Sequence, residues 1–191
     1  MSAPASAAFL VDTGTPQPNV GGVSLFGTQS LAGYFTLGAN STINSVEGYM
    51  NGSVIPSAVT VNLYADGPVP STVLFSSTFN LSPGNSSWLG VFGQNWQLSA
   101  GSYWVGFLTG GVTSMPNVGT PNPLSKYAAT SMFAGGAWVS NQTANLGIRI
   151  GGTTAAAAVP EPATWFSMIV GFGLVGSTVR KRRAAWIELT A

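Results

Sequence analysis

The 191-residue chain contains no cysteine and no histidine, and only 6% of its residues are charged. Each shortage removes a class of chemistry. Without cysteine there are neither disulfides nor thiolate metal sites, so stability has to come from burial. Without histidine, Ser-His-Asp and Cys-His arrangements and histidine-ligated metals cannot be assembled, and most hydrolase mechanisms go with them. Of the six cations, four stand together at Arg180, Lys181, Arg182 and Arg183; ahead of residue 159 only Lys126 and Arg149 face Asp12, Glu47 and Asp66. So nearly neutral a body offers phosphates no basic face, and nucleic-acid binding is not expected. Glycoside cleavage needs two carboxylates facing each other at about 5 to 9.5 Å. Here Asp66 falls in a turn, Asp12 at a strand end and Glu47 within a strand, so a glycoside-active enzyme is the most distant reading. No D-x-D-x-D spacing is present, which leaves Asp66 with loop carbonyls as a weak calcium candidate, and no cofactor is expected.

What the chain does have is period-two alternation broken by Gly, Pro and Asn, the signature of strands rather than helices. About 150 residues precede the C-terminal segment, enough for one domain with a core of its own. The alternation predicts nine strands, at 9–12, 30–37, 43–50, 58–65, 72–81, 88–96, 102–108, 131–139 and 146–150. Two are especially clear: Val59, Val61, Leu63 and Ala65 share one face, as do Val73, Phe75, Ser77, Phe79 and Leu81, and the turn residues 66–71 between them predict an antiparallel hairpin. Residues 103–108 are apolar on both faces and predict a central strand. Many short strands with frequent turns predict an all-β fold, an antiparallel β-sandwich or jelly roll spanning 9–150. The run Leu63-Tyr64-Ala65-Asp66-Gly67, with Leu74-Phe75-Ser76, Trp96 and Ala100-Gly101-Ser102-Tyr103-Trp104-Val105, resembles a module of exported bacterial β-sandwich proteins of unassigned role. It implies an architecture and no activity.

Four tryptophans of the body, Trp88, Trp96, Trp104 and Trp138, offer flat faces on which sugar rings could stack, beside Asn and Ser partners. Core packing is the competing use for each of them. Trp104 is the best candidate for exposure, because Gly106, its neighbour on the same face of the strand, leaves space beside it.

The C-terminal segment reads differently. Residues 163–179 carry no charge, and about 17 residues at ~1.5 Å each would make a helix of ~25 Å, near the lower limit for a bilayer. Arg180 to Arg183 then form a basic stop, which predicts a single transmembrane helix with a cytoplasmic C-terminus. Pro160-Glu161-Pro162, Trp165, the glycine-punctuated apolar run and the basic close together resemble the PEP-CTERM sorting signal of Gram-negative bacteria. The closest form is the subtype reading PEPATWA, from which Phe166 and the tail 184–191 depart. The resemblance implies Sec export, transient anchoring in the inner membrane, recognition by a membrane-embedded exosortase often encoded with extracellular polysaccharide biosynthesis, and delivery to the cell surface or beyond.

The expected organisation is therefore a signal-peptide remnant at 1–8, whose small residues Ala5-Ser6-Ala7-Ala8 suit a cleavage site, then the sandwich at 9–150. A linker at 151–159, the sorting signal at 160–183 and a short tail at 184–191 follow. The expected function is that of a non-enzymatic envelope or extracellular-matrix protein, sorted by exosortase and linked to exopolysaccharide or biofilm. A carbohydrate-binding module using exposed tryptophans is the alternative.

Overall fold

The computed structural model describes residues 9–17, 21–52, 57–117, 124–130, 136–140, 145–155, 166–170 and 172. Twelve strands are found among them: β1 (Phe9–Asp12), β2 (Gly22–Phe26), β3 (Leu31–Leu37), β4 (Ser41–Met50), β5 (Ser57–Tyr64), β6 (Val73–Leu81), β7 (Ser87–Leu98), β8 (Gly101–Thr109), β9 (Val112–Pro116), β10 (Lys126–Thr130), β11 (Trp138–Ser140) and β12 (Ile148–Thr154). They form a four-stranded sheet ordered β1-β12-β4-β7, a six-stranded sheet ordered β11-β10-β3-β8-β5-β6 and a two-stranded ribbon β2-β9. Every pairing among these strands is antiparallel.

Alternation builds the core directly. Inward residues Ile43, Val46, Ile148 and Ile150 of the smaller sheet join Leu31, Phe35, Val61, Leu63, Val105 and Phe107 of the larger one in a single buried cluster. Leu25 and Met115 of the ribbon are fully buried in the same cluster. The hairpin expected around residues 66–71 is β5 with β6, paired Val59 to Phe79 and Leu63 to Phe75. The doubly apolar stretch is β8, which lies between β3 and β5 in the larger sheet. In β7 the pairing with β4 slips between Ile43 and Ser45, and Gly93 takes φ 69° there, a left-handed conformation that suits glycine at a bulge.

Three strands were not expected, and each has a physical reason for being quiet in the sequence. Strands β2, β9 and β10 have five residues each; β9 ends in Pro116, and β10 opens on Lys126 and contains two alanines. They gain their order from partners: β2 from β9, and β10 from β3, with Ala128 opposite Ala32. Of the expected strand 131–139, residues 131–135 lie outside the described residues, Gly136 turns at φ 79°, and β11 starts only at Trp138. The expected linker also begins too early. Strand β12 continues to Thr154, pairing Gly152 with Ile43 and Thr154 with Ser41, and Gly152 is required because a Cβ there would collide with the Thr42 carbonyl.

The chain divides after Ala155 into two compact units, 1–155 and 156–191. In the second, residues 166–170 and 172 are helical, with Phe166, Ile169 and Phe172 exposed. No helix among the described residues is long and apolar enough to cross a membrane, which overturns the expected transmembrane helix at 163–179. Of the expected span, residues 163–165, 171 and 173–179 lie outside the described residues. The run also carries Gly171, Gly173 and Gly176, and each glycine weakens a helix by about 1 kcal/mol relative to alanine. The proposed leader remnant 1–8 and the tail 184–191 lie outside the described residues.

Burial predicts the mutational response. Val61 is fully buried between the sheets, so Val61→Asp leaves an unpaired charge costing about 3–5 kcal/mol and should abolish the cooperative thermal transition, while Ser76→Asp on the exposed face of β6 should shift the melting midpoint little.

Candidate functional site

The outward residues of the six-stranded sheet carry an aromatic cluster. Pairing places Ser140, Ala128, Ala32, Gly106 and Asn62 side by side across five strands, a row of small residues over which larger rings fold. Trp104 is fully buried there, with Tyr34 edge-on at 5.0 Å and its Nε1–H donating to the Gly67 carbonyl at 3.0 Å. The expected opening beside Gly106 is therefore closed. A Cβ at Gly106 would stand 2.9 Å from Tyr64 Cε2 and 3.6 Å from Trp138 Cη2, so the glycine is there to admit these rings rather than a ligand. Trp104 is a packing residue, and its candidacy as a sugar platform fails on burial.

Asp66 is drawn into the same cluster. Its Oδ1 accepts from the Tyr34 hydroxyl at 2.7 Å and from the Gly67 N–H at 2.8 Å, which pins the β5-β6 loop to the sheet face. The carboxylate acts as a turn anchor, and among the described residues no group of three acidic side chains gathers around a metal position. Lys126 Nζ lies 4.6 Å above the Tyr34 ring.

The remaining tryptophans separate by environment. Trp96 is buried and stacks on Phe75 at 5.5 Å and 13° between planes, inside the main core. Trp88 lies on the outer face of the four-stranded sheet, where the Arg149 guanidinium sits 4.0 Å over its ring and Tyr49 meets it edge-on at 5.3 Å. Trp138, on the edge strand β11, remains partly exposed and packs edge-on against Tyr64 at 6.0 Å. It lines a cleft of about 470 Å³ with Gly27, Thr28, Ser30, Leu108, Thr130 and Gly136, none of them charged. Of the four candidate platforms, Trp138 borders a cleft lined by described residues.

Sequence reasoning missed the part played by Arg149. Asp12 pairs with Arg149 across β1-β12, and Arg149 with Glu47 across β12-β4, so the three charges form one cross-strand row. Arg149 Nε lies 3.0 Å from Asp12 Oδ1. The two carboxylates thus flank a guanidinium two strand spacings apart, about 10 Å at the backbone. Burial pushes the Glu47 carboxyl above its ordinary value, with Arg149 opposing and Asp12 adding to the rise. Alternation alone could have found this row, because all three residues point outward on neighbouring strands.

Residues 158–183 match the family described as the PEP-CTERM protein-sorting motif, and no curated protein matches the chain. The match covers the whole tripartite pattern of the C-terminal segment and lies outside the sandwich. The chain therefore carries the sorting signal of an exosortase substrate, which implies an exported, envelope-associated protein processed by an exosortase-type enzyme. Within the signal, Pro160, Glu161, Pro162, Trp165 and Arg180, Lys181, Arg182 and Arg183 lie outside the described residues.

Two outcomes follow from this geometry. Gly106→Ala should destabilise the fold by about 1–3 kcal/mol, measured by denaturant unfolding, because the Tyr64 ring has to move. A carboxyl whose folded pKa is raised binds its proton more readily folded than unfolded, so ionising Glu47 costs stability as pH rises from the ordinary glutamate value through the raised one. Melting midpoints of wild type and Glu47→Gln should accordingly diverge in favour of the variant as pH climbs through that window; parallel curves would contradict it.

Proposed function

We propose that the chain is a non-enzymatic envelope or extracellular-matrix protein, delivered by its C-terminal signal and serving beside exopolysaccharide at the cell surface. The observation that carries the reading is the match at 158–183, a sorting signal appended to a compact β-sandwich. Its acidic groups support a structural role: Asp66 holds a turn, and Asp12 and Glu47 flank Arg149. A surface built from neutral polar residues, with 6% charge overall, suits packing among hydrated polymers. Sugar binding is the second reading, favoured by one observation: Trp138 is partly exposed at an uncharged cleft.

Processing provides the test. Intact-mass measurement of the protein recovered from its host's surface should give a species ending near 159–162 and lacking Arg180 to Arg183, because a proline biases the residue before it toward extended backbone, a form an enzyme can read, and two stand here in the sequence. Glu161→Ala and Trp165→Ala should leave circular dichroism of the sandwich unchanged while stopping delivery. Normal surface delivery of both variants, or full-length chain at the surface, would sink the reading.

A further inference from the structure

The cleft at Trp138 is one end of a longer feature. Thr130 pairs with Trp138, Ser30 is hydrogen-bonded to Thr130 on the next strand, Leu108 pairs with Thr60, and Thr60 with Thr78. Leu31 pairs with Phe107, which brings Ser30 beside Leu108. The outer face of the six-stranded sheet thus carries one continuous row at right angles to the strands, running from Trp138 on β11 to Thr78 on β6. It crosses five strand spacings, about 24 Å.

The side chains of this row have a common character. Trp138 is rooted at one end and its ring reaches over the sheet toward Gly106, Leu108 is a low apolar step in the middle, and the other positions are hydroxyls; no member is charged. The Thr130 hydroxyl accepts from the Ser30 N–H at 2.7 Å and reaches the Thr28 carbonyl at 3.5 Å, so it is committed to the protein. Thr28 and Ser30 lining the cleft, and Thr60 and Thr78 with hydroxyls 3.3 Å apart farther along, supply the polar groups.

We infer that this row binds a neutral polysaccharide chain laid across the strands, with one sugar ring stacked on Trp138 in the cleft. The inference deepens the sugar-binding reading and rests on it. Aromatic stacking takes the apolar face of a sugar ring, hydroxyls take its equatorial oxygens, and an uncharged lining gives no advantage to a phosphate or uronate. A row of this length, with no member fully buried, favours a polymer over a single sugar.

Affinity electrophoresis of the full chain in native gels containing dextran, hydroxyethyl cellulose or soluble β-1,3-glucan tests it. At least one neutral polysaccharide should retard the protein, Trp138→Ala should weaken that binding about tenfold, and oligosaccharides should compete better than the monosaccharide at equal sugar concentration. Circular dichroism and the melting midpoint establish that the variant is folded; should Trp138→Ala unfold, the double variant Thr28→Ala/Ser30→Ala decides instead, with a severalfold loss expected. Retardation that neither variant changes would overturn the site while leaving sugar binding standing elsewhere on the chain. No retardation in any of the three gels, or retardation only by anionic alginate, would overturn both.

Discussion

Burial between two sheet faces is the constraint on which everything else in the domain depends. With no disulfide and one described ion pair on the surface, worth at most about 1 kcal/mol, no other interaction among the described residues is large enough to offset the chain entropy of the domain. The inward set from Leu31 to Ile150 is aliphatic and aromatic. Strand register is fixed by it: a slip of one residue on β5 would turn Val59, Val61 and Leu63 outward and Thr60 and Asn62 inward.

Once the inner faces are committed, the outer faces are free to differ. On the four-stranded sheet a charged row is stacked on Trp88, using one guanidinium to neutralise part of two carboxylates and to cover a large ring. On the six-stranded sheet a row of small residues allows Tyr64, Trp104 and Trp138 to lie close against the backbone. This second cluster is itself half buried, and the loop after β5 closes one end of it through Trp104 and Tyr34. Among the described residues a cleft forms at the end toward β11.

The sorting signal and the sandwich are independent in kind. The signal is a linear pattern, matched at 158–183 without reference to any fold. Among the described residues the last strand of the sandwich runs to Thr154, and the Ala155 N–H donates to the Asn40 carbonyl at 2.7 Å. A cargo that closes on itself can be carried by a label that is read separately.

Local order determined what the sequence by itself could determine. Alternation gave the antiparallel class, the β5-β6 hairpin and the central place of β8, because a strand's period and a turn's chemistry are properties of neighbouring residues. The sorting signal was legible for the same reason, being a string of adjacent residues. Alternation did not reveal β2, β9 and β10, whose pairing energy comes from distant segments, nor the extension of β12 through Gly151 and Gly152, which look like linker until β4 lies against them. An uncharged apolar run suggested a spanning helix, and no helix among the described residues is long and apolar enough to be one. Which tryptophan would stay open was decided by tertiary structure alone: Gly106 reads as empty space in one dimension, and it is filled because Tyr64 and Trp138 arrive from strands on either side.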